Sequence, residues 1–77
     1  MPRYYFHQHS NGRRFEDRKG AILSSAAEAC TSAVRRTPAR LRMVIRERND
    51  NNFIATEISD GAHTLFVVRG KIVIEKF

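Results

Sequence analysis

The chain has a single cysteine and no tryptophan, with only two prolines and four glycines in 77 residues. Because Cys30 has no cysteine partner, an internal disulfide is excluded, and so are zinc sites that need two or four cysteines. No apolar stretch approaches the length needed to span a bilayer, and the first residues lack the apolar core of a signal peptide. These features predict a protein of the reducing cytoplasm.

The scattered glycines exclude a glycine-rich phosphate-binding loop, and no repeat, low-complexity tract or long linker divides the chain. The length therefore predicts one small domain over residues 1–77, and a domain of this size buries only about 60% of the surface of its unfolded chain. Since disulfides and cysteine-based zinc sites are excluded, self-association is the remaining way to add stability.

Positive charge is in excess, with a formal net charge of +6. Residues 1–20 hold five basic and two acidic groups, residues 21–48 six arginines and two glutamates, and residues 49–77 three basic and four acidic groups. The positive field thus arises from the first two thirds of the chain and attracts polyanions such as nucleic acid. A basic, soluble surface without a dedicated partner explains the same charge.

The first twenty residues predict a β-hairpin. Residues 3–9 alternate so that Tyr4 and Phe6 share one face, while Tyr5, His7 and His9 share the other. The Asn11-Gly12 pair is typical of a type I′ turn, because both residues tolerate positive φ. Residues 13–18 then form the second strand, with Phe15 in the core, and Ile22 and Leu23 pack just before a helix.

A helix is predicted over about residues 25–47. Ser25 and Glu28 form a Ser-x-x-Glu capping box at its start. The apolar stripe recurs at spacings of three and four, through Ala26, Cys30, Ala33, Thr37, Leu41, Val44 and Arg48, widened by Ala29, Val34 and Ile45. Small residues in its first half favour a close approach to a sheet.

Pro38 interrupts this pattern, because proline inside a helix removes a hydrogen bond and clashes with the preceding turn. We expect the helix to break or kink near Thr37. The alternative makes residues 41–48 a strand, since β-branched residues there alternate with arginines.

The last third predicts two more strands. Residues 50–52 read as a loop, residues 53–58 as a strand, residues 59–61 as a turn and residues 64–68 as the next strand. Arg69-Gly70 then makes a tight turn into a further strand, or Gly70 is a bulge in one long strand. The fold prediction is an α+β protein of ββαββ order, with one helix packed on one face of an antiparallel sheet.

The chain also resembles a known family. The segment Met1-Pro2-Arg3-Tyr4-Tyr5-Phe6-His7, the Asp17-Arg18-Lys19-Gly20 motif and Ala27-Glu28-Ala29 at the helix start are similar to short alphaproteobacterial proteins, abundant in rhizobia. These begin M-P-x-Y-Y-F and carry a D-x-x-G after the first hairpin. The resemblance is good over residues 1–30 and loose beyond, where the arginine-rich helix with Pro38 departs from the family pattern. The family has no assigned activity, so the resemblance implies the fold and a cytoplasmic location and no catalytic residue.

Candidate sites for chemistry are weak. His7 and His9 project from one face, and with His63 they make a possible zinc or nickel site, although half-buried or surface histidines explain them as well. Asp17 is more typical of a turn than of an acid or base. Cys30 lies within the apolar stripe, and Ser24 and Ser25 lie at the helix start. We therefore expect no enzyme activity, no cofactor and no metal.

The arginines of the middle segment are the best candidate for function. On a helix, several of them make one basic face able to follow phosphates, and Tyr5 on the first strand is placed to stack on a base. The candidate nucleic-acid-binding residues are Arg35, Arg36, Arg40, Arg42, Arg46 and Tyr5. No zinc finger, helix-turn-helix or RNP-like motif accompanies them.

Two hypotheses follow. The first is a non-enzymatic interaction module, homodimeric through the apolar C-terminal run Ile72-Val73-Ile74, with its protein partner unknown. The second is a weak, sequence-nonspecific nucleic-acid-binding protein that uses the arginine-rich helix face.

Overall fold

The computed structural model describes residues 2–10, 12–45, 51–73, 75 and 77. Along the chain, one helix follows the first set of strands and precedes the second. This is the predicted ββαββ order, with one short strand added, and the predicted α+β class. The elements are β1 (Arg3–Ser10), β2 (Arg13–Phe15), β3 (Ala21–Ile22), α1 (Ala26–Ile45), β4 (Asn51–Ser59) and β5 (Thr64–Val73). The short β3 was not predicted.

All strand pairs are antiparallel, in the order β2-β1-β4-β5, and β3 pairs with the first residues of β1. The first hairpin closes with Ser10 opposite Arg13, which leaves two residues for the turn, as predicted. Gly12 has a φ of +86°, and Asn11 lies outside the described residues. The positive φ at this position explains why a glycine follows the asparagine.

The alternation predicted for β1 is confirmed. Tyr4 and Phe6 are buried, whereas Tyr5, His7 and His9 are half-buried on the other face. Phe6 lies opposite Ile58 of β4, which is fully buried and in turn opposite Phe66 of β5. One face of the sheet therefore carries the core.

Small side chains let α1 lie close to this face. Ala29 and Ala33 are 0% and 2% exposed, and they form one cluster with Tyr4, Phe6 and Ile58. At β5 the sheet itself provides the space, because a Cβ at Gly70 would lie 2.7 Å from the Thr37 methyl carbon and 3.0 Å from a Leu41 methyl carbon. The predicted close packing of helix on sheet is thus confirmed.

Two apolar residues predicted to be internal are on the surface. Phe15 is 56% exposed and Ile22 is 54% exposed, so both predictions were wrong. Phe15 lies opposite Gln8 on the three-residue edge strand β2, away from β4 and β5, over which α1 mainly packs. Leu23 does pack against the core, as predicted.

Strand β2 ends at Phe15, three residues earlier than predicted, and Asp17 lies in the connection from β2 to β3. Its carboxylate accepts hydrogen bonds from the backbone N–H groups of Phe6, Lys19 and Gly20, at 3.1, 3.0 and 3.0 Å. The Phe6 group belongs to β1 at a residue that neither β2 nor β3 pairs with. The side chain therefore satisfies a strand donor at the gap between two short neighbours. The interpretation of Asp17 as a turn organiser fits this geometry.

Gly20 completes this connection with a φ of +68°. A Cβ here would lie 2.8 Å from the Tyr4 carbonyl oxygen and 3.0 Å from the Tyr5 ring. Both the backbone angle and the space therefore require glycine.

The predicted capping box is confirmed in one half. The Glu28 N–H donates to Ser25 Oγ at 3.2 Å, as expected for a helix cap. The Glu28 carboxylate, however, accepts from the N–H of Ser24 at 3.1 Å and from the Ser24 hydroxyl. Two serines thus share the role predicted for one.

Of the break or kink predicted near Thr37, the break was wrong. The helix α1 is continuous through Pro38, and residues 41–45 are helical, which contradicts the strand alternative for them; residues 46–48 lie outside the described residues. Pro38 cannot donate to the carbonyl of Val34, which lies on an exposed side of the helix that is open to solvent. Thr37 and Leu41, on either side of Pro38, pack against Gly70 of β5 and hold this part of the helix on the sheet.

The C-terminal strands are longer than predicted. Asn51 and Asn52, expected in a loop, begin β4, while Asp50 lies outside the described residues. The tight turn at Arg69-Gly70 was wrong, since β5 continues to Val73, and Gly70 pairs in register with Ile54. The one register shift of this pair falls between Ile58 and Ser59. Gly70 therefore serves helix packing and makes neither a turn nor a bulge.

We predict that Asp17→Asn lowers the free energy of unfolding by about 1–3 kcal/mol, because the single remaining oxygen cannot serve all three N–H donors. Burial by itself raises the pKa of Asp17, but hydrogen bonds from Gly20, Phe6 and Lys19 outweigh it and hold the pKa below its ordinary value. Since the folded pKa is the lower one, this stabilisation is complete above a pH of about 4 and is lost as the pH falls through the folded pKa.

Urea unfolding of both proteins at several pH values measures this effect. The difference in stability should shrink in acid. Glu16→Gln is the control, because it makes the same charge change at an exposed neighbour. An equal effect of both substitutions would contradict the prediction.

We also predict that Gly70→Ala destabilises the protein by about 1–3 kcal/mol, because the new methyl group overlaps Thr37 and Leu41. Thr37→Ser removes the overlapping methyl carbon and keeps the hydroxyl that donates to the Ala33 carbonyl at 3.0 Å. The double variant should therefore lose less than the sum of the two single changes. Additive losses in a double-mutant unfolding cycle would show that the overlap has no effect.

Candidate functional site

The helix arginines predicted to bind nucleic acid lie on α1, but not in one row. Arg36 and Arg40 are one turn apart, and Arg35 and Arg42 are two turns apart on a strip about a quarter turn or more away. Arg46 lies outside the described residues. Within the described part of the chain, none of the other four forms an ion pair with a carboxylate.

Arg36 and Arg40 point toward the sheet. The Arg36 guanidinium carbon lies 5.9 Å from the centre of the Phe6 ring, a cation–π contact. Arg40 is half-buried, and burial first, then the positive charge of Arg36, hold its pKa below the ordinary value. Arg35, Arg36 and Arg42 are exposed; Arg35 and Arg42 lie on the strip that faces away from the sheet and can meet a polyanion.

Tyr5 lies on the other face of the sheet from these arginines. Since Tyr4 and Phe6 of β1 face α1, Tyr5 faces away from it. The structure therefore does not bring Tyr5 and the arginines to one surface. The predicted set of site residues divides between the two sides of the molecule.

The side that Tyr5 occupies is a second candidate, which we call the open face. It consists of the odd-numbered residues 5–9 of β1, 53–59 of β4 and 67–73 of β5, together with Arg14 of β2, which lies opposite His9. No described element packs on it, because α1 lies on the opposite face.

Aromatic rings form one end of the open face. The rings of Tyr5 and His7 are nearly parallel, with an angle of 5° and centroids 6.4 Å apart. Turns at both sides position the Tyr5 ring, since a Cβ at Gly20 or at Gly61 would lie 3.0 or 3.3 Å from it. The Asp17 N–H donates to His7 Nδ1 at 3.1 Å, which fixes the imidazole.

Glu57 lies in the middle of the open face. Its carboxylate accepts from the Thr64 hydroxyl at 2.5 Å, and lies 3.5 Å from His9 Nε2 and 3.7 Å from an Arg14 nitrogen. The Thr64 hydrogen bond is the main reason that the pKa of Glu57 is below its ordinary value; burial opposes this, and His9, Arg14 and His7 add to it. The acid is thus ionised and partly neutralised by its neighbours.

The other end of the open face combines an aromatic ring with two cations. Phe53 is 44% exposed and lies opposite Lys71, and Arg69 is its diagonal neighbour, opposite Ala55. Ala55 is buried at the floor of a shallow depression that Phe53, Arg69 and Val67 help to line. The small floor residue leaves the side chains of Phe53 and Arg69 at the walls of the depression.

The residues considered for chemistry do not gather. Within the described residues, no group of three or more histidines, cysteines or acids is placed to hold a metal ion. Cys30 is half-buried against the core, and Ser24 and Ser25 hold the helix start.

A family model matches residues 3–70, and its description is a domain of unknown function (DUF6894). The chain belongs to this family. The match covers most of the chain, so the predicted membership of a family without assigned activity is confirmed. Comparison with curated proteins and with solved structures gives no match. Within the described residues, no helix is long and apolar enough to cross a membrane.

Sequence reasoning missed the basic residues of the open face. These residues lie on strands that are distant in the sequence: Arg14 is in β2, and Arg69 and Lys71 are in β5. The neighbouring Phe53 is in β4. Alternation within each strand indicates which residues share a side, but only the pairing register brings the three sides together.

We predict that Arg40→Met stabilises the protein, by a few tenths to about 1 kcal/mol, because it removes a half-buried charge that no described carboxylate pairs with and keeps the packed stem. Arg42→Met, at an exposed position, should change the stability far less. Thermal or urea unfolding of both variants checks this. A destabilised Arg40→Met would show that the charge itself supports the fold.

Proposed function

We propose that the chain is a non-enzymatic interaction module that forms a homodimer through the free edge of β5. The observation that carries this is the position of β5, a ten-residue strand at the end of the sheet order. Within the described ranges, only β4 pairs with it. Among the described residues, no strand pairs with its other edge, which therefore presents its backbone groups to a partner.

The side chains of this edge are mainly apolar. Leu65, Phe66, Val67 and Val73 are 39%, 40%, 44% and 51% exposed. Proteins usually protect a long edge strand with charge, proline or a bulge, and an apolar one is a template for another strand. The C-terminal run predicted to mediate association lies at its end, with Ile72 and Val73 in β5 and Ile74 outside the described residues.

The direction of the backbone groups follows from β1. The Phe6 N–H points away from β4, because it donates to Asp17, and so the groups of Ile58 opposite it point toward β5. Phe66, opposite Ile58, then bonds back to β4. By alternation the N–H groups of Val67, Arg69, Lys71 and Val73 face outward and are the donors of the proposed dimer.

We place this module in the bacterial cytoplasm. The resemblance to alphaproteobacterial proteins and the single cysteine support that location. The absence of activity is part of the proposal, and it rests on the weakness of each candidate catalytic residue in the sequence.

A second candidate function is weak, sequence-nonspecific binding of nucleic acid by the helix. Its support is the exposure of Arg35 and Arg42 without a described carboxylate partner, on a chain of net charge +6. Such binding would weaken steeply with salt.

We predict that the wild-type chain has the mass of a dimer in light scattering at high micromolar concentration, and that Val67→Pro has the mass of a monomer. Proline removes the outward N–H and does not disturb the bonds to β4, because the Val67 groups do not take part in them. Val67→Thr keeps the N–H and the branched shape, so it should remain a dimer.

Circular dichroism of each variant verifies that the sheet is intact. A wild-type monomer at these concentrations would overturn the proposed dimer. A dimer that persists in folded Val67→Pro would place the interface elsewhere.

A further inference from the structure

The open face combines stacking rings with cations on a surface of the sheet on which no described element packs. Tyr5 and His7 stand at one end of it and Phe53 at the other. From Ser59, which lies opposite Tyr5, to Phe53 is six residues along β4, or about 20 Å. The rings are thus separated by a tract long enough for several nucleotides.

We propose that the open face binds single-stranded RNA. This goes beyond the proposed function and does not depend on dimerisation, because it uses the side chains of the sheet face and not the backbone groups of the β5 edge. Aromatic rings on a sheet bind unpaired bases by stacking, whatever the base, because every base has a π-face. A duplex hides those faces, so the rings select a single strand.

The charge of the face is complementary to a phosphate backbone. Arg14, Arg69 and Lys71 are exposed on it, and Glu57 is its one acid among the described residues. Arg69 and Lys71 flank the Phe53 ring, so a base stacked there has its phosphates beside two cations. The ring beside Arg36 is that of Phe6, which is buried in the core and cannot receive a base.

Glu57 is the reason for choosing RNA over DNA. Its ionised carboxylate lies between the two aromatic ends. It accepts from Thr64 and lies 3.5 Å from His9 Nε2 and 3.7 Å from an Arg14 nitrogen, and its two oxygens together can accept further hydrogen bonds. A carboxylate is an acceptor only, and it repels phosphate. The ribose 2′-hydroxyl is the donor that distinguishes RNA from DNA and satisfies this acceptor.

The test is a fluorescence-anisotropy titration with labelled single strands of about 12 nucleotides, more than enough to cover the tract between the rings. The arms are single-stranded RNA, single-stranded DNA of the same sequence and duplex RNA, each at low and physiological salt. We expect RNA single strands to bind tightest, with a log–log salt slope of about −2 for three phosphate contacts. Equal binding of DNA would overturn RNA as the occupant, and equal binding of duplex would overturn the stacking surface.

Matched charge changes locate the site. The double variant Arg69→Glu with Lys71→Glu should lose tenfold or more in affinity, and Arg35→Glu with Arg42→Glu, the same charge change on α1, should lose much less. The reverse result would overturn the open face and favour the helix. Light scattering of the same samples separates loss of binding from loss of a dimer.

The rings have their own readout. Phe53→Leu keeps an apolar side chain and removes the ring, so it should lose roughly tenfold in affinity, whereas Phe53→Tyr should retain it. The chain has no tryptophan and two tyrosines, of which Tyr4 is in the core. Tyrosine fluorescence should therefore fall on binding, and Tyr5→Phe should abolish that change and keep the affinity. Unchanged fluorescence in the wild type at saturating RNA would overturn stacking on Tyr5.

Discussion

The carboxylate of Asp17 is the contact on which the N-terminal half of the molecule depends. It accepts from a donor of β1 that has no strand partner and from two donors of its own turn, so it joins β1 to the segment between β2 and β3. The same turn brings Gly20 against Tyr4 and Tyr5 and directs the Asp17 N–H at His7. One acidic residue thus orders the turn and the rings on the opposite side of the sheet from the helix.

The two faces of the sheet differ because the helix packs on only one of them, where small residues let it lie close to the strands. Ala29, Ala33 and Gly70 allow backbones to approach closely, so one helix is sufficient to cover the core of a small sheet. A single helix covers a single face. The other face, on which no described element packs, is therefore left to contact water or a partner. Its combination of aromatic rings and cations determines which partner can bind there.

Much of this architecture can be predicted from the sequence, and the predictions that were wrong share one cause. Alternation in residues 3–9, the turn at Gly12 and the Ser-Glu helix start are local signals. The first two predictions are confirmed, and the capping box is confirmed for its Ser25 half, since Ser24 takes the other half. Pro38, Gly70 and Phe15 were misjudged because their surroundings come from distant residues: β5 supports the helix beyond Pro38, the helix needs space at Gly70, and α1 does not reach Phe15. The placement of Tyr5 and the helix arginines on opposite sides of the sheet was missed for the same reason. Alternation separates the two faces of a strand, but which face the helix covers depends on the strand's partners.

The Tyr5 ring touches two glycine turns that are 41 positions apart in the chain, at Gly20 and Gly61. Both turns have positive φ, and neither has room for a Cβ beside the ring without displacing it. The position of the Tyr5 ring therefore depends on the conformation of both turns. In a scan of every single substitution, changes at either glycine should be scored with changes at Tyr5, as one group of linked positions, although no two of them are neighbours in the sequence.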